Sequence, residues 1–278
     1  MKTLVLYHDN CPDGFTAAWA VWRALGDTAE YRGVNYGQPR PTDITERPVI
    51  LVDFSYSRVV LDEMAACAHS VKVFDHHKTA QEDLSGWAGG RVVFDMERSG
   101  AGIAWDEFHS LVGVDEDRPA LIDYVEDRDL WRWALPDSRE VSEFLFSVER
   151  TFEQWDQASD AIAFYREEVV QAGKALLRAK RQRVEAMCQH ATWRVLAGVR
   201  VPVVNASWDF SEIGEYLAEH FDAPFGAYYF DRTDKRQWGM RARGDFDVSV
   251  IAKQCGGGGH ASAAGFTTAI GWLPDLVS

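Results

Sequence analysis

Cysteine is scarce in this chain: Cys11, Cys67, Cys188 and Cys255 lie scattered with no paired short spacing. That pattern argues against a disulfide framework and against a thiol-based zinc site. Long apolar runs are missing as well, and no stretch approaches the roughly eighteen uncharged residues that a membrane-spanning helix needs. Basic charge is in deficit, with 29 Lys and Arg against 43 Asp and Glu, a net charge of −14. Such a balance disfavours a broad surface for long duplex nucleic acid, which requires basic excess. A small anionic ligand is still compatible, because a metal cluster and a few arginines can reverse the field locally. The opening residues, Met1 to Asp9, turn polar after a few apolar positions, too few for a signal-peptide core. A first strand and a cytoplasmic location are therefore expected, with no membrane partner.

What is present reads as alternating α and β. Leu4–Tyr7 has the composition of a buried strand, and Thr16–Leu25 has helical spacing that includes Trp19 and Trp22. Val49–Asp53, Val71–Asp75 and Val92–Asp95 repeat the short-strand pattern, with a helix predicted over Val59–Ala68. Continuous Val/Ile/Leu runs separated by helices are what a parallel sheet covered on both faces requires. From about Ser138 to His190 the pattern is helical. Strands return at Arg194–Ala197, Val201–Asn205, Gly226–Asp231 and Gln237–Ala242, with a helix at Ser211–His220 and then the glycine run Gly256–Gly259. The fold class is α/β. It comprises an N-terminal domain (residues 1–150) with a helix-covered parallel sheet, a helical connector (151–190) and a smaller C-terminal α/β domain with a mixed sheet (191–278).

Asp75-His76-His77, directly after Val71–Phe74, is the most informative feature. Three consecutive ionisable residues at a strand end need partners if they are buried. Carboxylate oxygen with imidazole nitrogen suits Mn, Mg, Fe or Zn better than a soft thiophilic ion. A solvated turn with a chance histidine pair is the alternative, and the other strand ends weigh against it. His8 and Asp13 follow the first strand, Asp53 ends the second apolar run, and Asp127 and Asp129 follow Ile122 and Val125. A sheet brings these loops to one edge, where crowded carboxylates repel unless a cation compensates them. Two divalent ions sharing one Asp would do so, and would activate water beside a phosphoryl centre. Trp131 and Trp133 fit core packing better than stacking on a base.

The order His8, Asp13-Gly14, Asp53, Asp75-His76-His77, Asp127 is similar to the four motifs of the DHH phosphoesterase superfamily. The stretch from Gly256 through His260 to Phe266 resembles the glycine-rich motif of the DHH-associated domain, and Arg241 matches a position which that family uses for substrate. The resemblance covers nearly the whole chain and is strongest to the small nano-RNases and cyclic-nucleotide phosphodiesterases. It implies a divalent metal cofactor, usually manganese, with magnesium as the alternative. Asp53 would bridge two ions, with His8 and Asp13 on one, His76 and Asp127 on the other, and Asp75 supporting a ligand or joining the shell. His77, with Asp75, would be catalytic and face the scissile phosphate. Arg241, Gly257, Gly258, Gly259 and His260 would bind substrate. Glycines let the backbone approach a phosphate, and Arg adds a bidentate fork.

The implied reaction is hydrolysis of short oligonucleotides or of linear or cyclic dinucleotides. Pyrophosphatase or polyphosphatase chemistry and a non-catalytic nucleotide-binding role are the alternatives. The expected partner is a short phosphorylated nucleotide, with a homodimer left open. One departure concerns the first motif, which usually carries two aspartates after its histidine. This chain reads His8-Asp9-Asn10-Cys11-Pro12-Asp13-Gly14-Phe15. Depending on the match, either Phe15 or Cys11 stands where a carboxylate would fall. Cys11 is a poor ligand for a hard ion, whereas Asp9 or Asn10 could supply oxygen, which leaves one metal site weak, rebuilt or absent as the alternatives.

Overall fold

The computed structural model describes residues 1–112 and 117–276. The chain divides into two compact units, Met1–Leu177 and Arg178–Ser278. The first unit contains β1 (Thr3–His8), α1 (Pro12–Leu25), β2 (Ala29–Val34), β3 (Pro48–Val52), α2 (Arg58–Ala65), β4 (Ser70–Asp75), α3 (Lys78–Asp83) and β5 (Arg91–Phe94). Then follow α4 (Gly100–Val112), α5 (Ala120–Asp129), α6 (Ser138–Ser147), α7 (Phe152–Phe164) and the N-terminal part of α8 (Arg166–Cys188). All five strands run parallel in the order β2-β1-β3-β4-β5.

Period-two alternation distributes the strand side chains to both faces. Leu4, Leu6, Val49, Leu51, Val71 and Val73 pack with Leu61, Met64 and Trp87 on one side. Val5, Ile50, Val52 and Phe74 pack with Trp19, Trp105, Phe108 and Trp155 on the other. Each fully buried aliphatic or aromatic side chain of this kind contributes roughly 1.5–3 kcal/mol. Residues expected as a connector enter this core, since Trp155 on α7 is buried and donates Nε1–H to Thr16 Oγ1 at 3.1 Å. Strand order reverses between β1 and β3, and ligands of open α/β sheets bind beyond the carboxyl ends of strands at such a point.

The second unit holds β6 (Thr192–Leu196), β7 (Val199–Asn205), α9 (Phe210–His220), β8 (Phe225–Asp231), β9 (Arg236–Ala242), α10 (Val248–Gln254), β10 (Gly258–Gly259), β11 (Ala263–Thr268) and β12 (Asp275–Leu276). Its seven-stranded sheet runs β10-β11-β9-β8-β7-β6-β12 and is mixed, with β7 and β8 parallel and the other pairs antiparallel. Trp238, Phe225, Met240 and Phe266 form one core beside α10, while Ile213, Leu217 and Tyr228 form another with α9. The α/β architecture expected from sequence is present in both units. Among the elements that escaped the sequence reading are β2, α10 and β11. β2 is an edge strand whose Ala-Glu-Tyr-Arg-Gly-Val carries no apolar run, and β11 begins with small residues, so neither has the usual strand signature. No helix among the described residues is long and apolar enough to cross a membrane.

Candidate metal centre

The carboxyl edge of the first sheet gathers side chains from five separate segments. His8 ends β1, Asp13 lies in the first turn of α1, Asp53 follows β3, Asp75 ends β4 with His76 and His77 behind it, and Asp129 ends α5. Local backbone requirements explain how they crowd together. A Cβ on Gly14 would sit 2.3 Å from the His8 carbonyl oxygen, so only glycine lets α1 start this close to β1. A Cβ on Gly100 would sit 2.4 Å from the Asp53 Cβ, which fixes glycine at the start of α4. Asp53 itself has φ 51°, in the left-handed region that aspartate tolerates better than most residues. Its amide still extends the sheet ladder by donating to Phe74 O at 2.9 Å.

Asp53 is the hub. His76 Nε2 lies 3.2 Å from its Oδ1, His8 Nδ1 3.7 Å from its Oδ2 and His77 Nδ1 4.0 Å from its Oδ1. His76 Nε2 also stands 3.6 Å from Asp13 Oδ2 and 3.5 Å from Asp129 Oδ2. Asp53 is 1% exposed, yet neither of its oxygens has a hydrogen-bond partner among the described residues, and neither does His8 Nδ1. Buried polar atoms are normally hydrogen-bonded, so orphans this concentrated fit a site that can hold a cation. Three groups have ligand atoms within 4.8 Å of one another: Asp53 with His76 and His77, Asp13 with His76 and Asp129, and His8 with Cys11 and Asp53. The donor set fits divalent metal ions.

Supporting bonds hold several of these groups. Asp13 accepts from the amides of Gly100 at 2.7 Å and Ala101 at 2.9 Å, so the N-terminus of α4 anchors its carboxylate. Asp75 Oδ1 accepts from the His76 and His77 amides and lies 2.7 Å from His77 Nδ1. Without a metal, the electrostatics are those of carboxylates sharing imidazolium charge. Burial, then the charges of Asp53 and Asp129, push Asp13 well up, and burial also raises Asp129. Burial opposes the charge on Asp53, but the surrounding imidazoles of His76, His8 and His77 outweigh it and hold that carboxyl down. Burial opposes the charge on His76 too, and Asp53, Asp13 and Asp129 together overcome it and raise the imidazole. His77 is raised by Asp75 against its own burial.

Of the residues expected to bind metal, the structure brings together His8, Asp13, Asp53 and His76. Asp127, expected in that set, lies outside it. It is buried on α5, and its oxygens accept from the amides of Ala134 and Leu135 and from the Ser138 hydroxyl, which ties the turn after α5 to α6. Asp129, two residues on, reaches the cluster instead. Asp75 orients His77 and belongs to none of the three groups. Asp9 and Asn10 bond to each other at 3.0 Å and join no group either, while Cys11 does. Phe15 is core, stacked 5.3 Å from Phe152 and edge-on to Trp155. Trp131 and Trp133, expected in the core, are half-buried and pack edge to face at 4.9 Å.

In the second unit, Arg241 lies on β9, donating to Ser211 Oγ at 2.9 Å and to Met240 O at 3.0 Å. Its strand pairs with β11, which pairs in turn with the glycine run, so Arg241, Gly257, Gly258, Gly259 and His260 share one end of that sheet. Gly259 has φ 141° and a Cβ there would meet the Ala263 carbonyl at 2.6 Å, whereas a Cβ on Gly258 would meet nothing.

No family model matches the chain. It is 30% identical over 303 aligned positions to an uncharacterized protein of Acanthamoeba polyphaga mimivirus, spanning 98% of this chain and 69% of the relative. Among solved structures, the DHH domain of a member of a ribosomal-protein family has a TM-score of 0.66 at 15% identity, covering 96% of this chain and 83% of that one. An exopolyphosphatase-related protein from Bacteroides fragilis has a TM-score of 0.53 at 13% identity, covering 98% and 87%. A pGpG-specific phosphodiesterase from Vibrio cholerae has a TM-score of 0.50 at 14% identity, covering 97% and 94%. The chain belongs to one family with the mimivirus protein, and its fold is that of the DHH-domain proteins.

Proposed function

We propose that this chain is a divalent-metal-dependent phosphoesterase that hydrolyses short phosphodiester substrates, either short oligonucleotides or linear or cyclic dinucleotides. The observation that carries the reading is the buried Asp53 carboxylate, without hydrogen bonds among the described residues and ringed by His8, His76, His77, Asp13 and Asp129 at the switch point of a parallel sheet. Manganese is the proposed ion, with magnesium as the alternative. Asp53 would be shared, while Asp13, His76 and Asp129 would hold one ion. A divalent ion there supplies Lewis-acid charge for a phosphoryl group and makes water a usable nucleophile near neutral pH. His77, whose Nδ1 lies 2.7 Å from Asp75 Oδ1, would face the scissile phosphate and stabilise its developing charge. Arg241, Gly257, Gly258, Gly259 and His260 in the second unit would bind substrate phosphate.

The fold shared with a pGpG-specific phosphodiesterase and an exopolyphosphatase-related protein supports phosphoryl chemistry. The acidic net charge favours a short nucleotide over polyphosphate, which would suit a denser Lys/Arg lining. The test is a panel: the purified chain with Mn²⁺ or Mg²⁺, offered a ladder of short RNAs, pApA, cyclic nucleotides, pyrophosphate and polyphosphate. Release of mononucleotides is expected. Phosphate release from the inorganic chains alone would replace this reading with the polyphosphatase one. Binding without turnover, with Asp75→Ala indistinguishable from the parent, would leave a nucleotide-binding protein.

A further inference from the structure

We propose that His8, Cys11 and Asp53 form a thiolate-containing metal subsite that takes a borderline ion such as zinc, cobalt or ferrous iron. It would differ in ligand chemistry from the oxygen-and-imidazole subsite of Asp13, His76 and Asp129. The inference rests on the metal-binding part of the proposed function, and it resolves the departure in the first motif. Cys11 is the N-cap position of α1, with φ −110° and ψ 130°, and its side chain makes no capping hydrogen bond. Its sulfur lies within 4.8 Å of the ligand atoms of His8 and Asp53. His8 Nδ1 and both Asp53 oxygens are buried without hydrogen-bond partners among the described residues. Those orphaned atoms point to a ligand independently of the cysteine.

Elimination strengthens the assignment. Phe15 offers no donor atom and turns its ring into the core against Phe152 and Trp155. Asp9 bonds to Asn10 and lies against Gly33, and it joins none of the ligand groups. Among the described residues, Cys11 is the third donor grouped with His8 and Asp53. Tetrahedral zinc with a sulfur ligand at about 2.3 Å and nitrogen or oxygen at about 2.0 Å sets its donors roughly 3.3–3.5 Å apart. His8 Nδ1 and Asp53 Oδ2 are 3.7 Å apart, close to that spacing. Thiolate selects zinc, cobalt or iron over manganese and magnesium, whereas carboxylate with one imidazole suits manganese. Asp53 thus lies between two unlike subsites, and the pair is expected to be filled best by two different ions.

The test loads the full chain with Co²⁺ and reads its near-ultraviolet absorption, then loads Zn²⁺ and reads X-ray absorption at the zinc edge. A thiolate-to-cobalt charge-transfer band and a sulfur shell at about 2.3 Å are expected. Cys11→Ser should abolish both, while Cys188→Ser and Cys255→Ser should leave them unchanged. Cys11→Asp should keep the ion count, lose the sulfur signal and shift the Mn-to-Zn affinity ratio toward manganese on the order of tenfold. That variant keeps the proposal open to refutation even where Cys11→Ser fails to fold. A parent without the band, or a band that persists in either Cys11 variant, overturns the thiolate subsite. A protein that shows the band but cleaves no phosphodiester keeps this subsite and refutes the proposed function. One that cleaves with manganese in both positions and no sulfur contact does the reverse.

Discussion

Arg47 and Asp53 bracket the same strand, β3, and both are buried, at 8% and 1% exposure, yet their surroundings are opposite. At the amino edge of the sheet, Arg47 donates Nε–H to Lys2 O, Nη1–H to Asp43 and Nη2–H to Glu30 Oε2 at 2.7 Å. Arg32 adds a fork to Asp43 at 3.0 and 2.9 Å. At the carboxyl edge, Asp53 has imidazoles at ion-pair distance and no hydrogen bond to its oxygens among the described residues. Buried charge is costly unless paired and hydrogen-bonded. One edge meets that requirement within the chain. The other does not meet it with hydrogen bonds among the described residues, and the proposed metal would.

The sharpest way to break this comparison is Asp53→Asn, which keeps the side-chain shape and tolerates φ 51° but removes the charge. On the proposed function, loss of Asp53 as the shared ligand should reduce metal-dependent hydrolysis on the order of 10³-fold, several kcal/mol of transition-state stabilisation. The parent should also gain roughly 2.7 kcal/mol of stability from Mn²⁺ at a hundred times its Kd. The variant should gain almost none. Metal content by mass spectrometry and thermal melts with and without Mn²⁺ check this, and a retained Mn²⁺-induced rise in Tm would show that Asp53 is not the hub.

A smaller effect is expected from the opposite edge. Arg47→Ala leaves Glu30 and Asp43 to Arg32 alone and removes bonds to two backbone carbonyls. Breaking a buried ion pair costs about 3–5 kcal/mol, and the half-exposed partners reduce that to roughly 2 kcal/mol. Urea unfolding should show a lower midpoint with an unchanged slope. The Mn²⁺-induced gain in Tm should match that of the parent. A loss of that gain in Arg47→Ala would mean the two edges are coupled through β3.

The two edges were not equally legible in the sequence. Val/Ile/Leu runs announce β1, β3 and β4, and the ionisable residues that end or follow them mark the carboxyl edge, because the strand interiors are apolar apart from Lys72 on β4. Asp127 and Asp129 show the limit. They lie two positions apart on α5, about 200° around a helix, so only packing decides which one meets the cluster. Leu121, Ile122 and Val125 turn α5 into the core so that Asp129 projects to the edge and Asp127 ties down the following turn. Cys11 reads in the sequence as a poor ligand for a hard ion, and the subsite proposed for it has no spacing signature of its own. A site that takes one sulfur and draws its other donors from distant strand ends leaves no Cys spacing to read. The amino-edge network was invisible as well, since Glu30 lies on β2, an edge strand with no apolar run, and Asp43 comes from a loop.

The smallest effect is one of acid stability, and its sign differs between the edges. Hydrogen bonds from Arg32 hold Asp43 down to about 2, and bonds from Arg32 and Arg47 also lower Glu30. Folded carboxyls with lowered values contribute stability that is complete above their unfolded values near 4 and is lost as the pH falls from about 4 toward 2. Asp43 is half exposed, so screening reduces its share to roughly 0.5 kcal/mol or less. At the carboxyl edge, Asp13 and Asp129 are raised, chiefly by burial, so the metal-free folded state retains protons that the unfolded chain releases. Their contribution therefore falls as the pH rises through about 4. Melts of the metal-free chain between pH 5 and 2 should show Asp43→Asn losing less stability on acidification than the parent, by a margin that shrinks in high salt. Equal acid sensitivity in parent and variant would mean that solvent, not Arg32, sets the ionisation of Asp43, and that the amino edge is less closed than its hydrogen bonds imply.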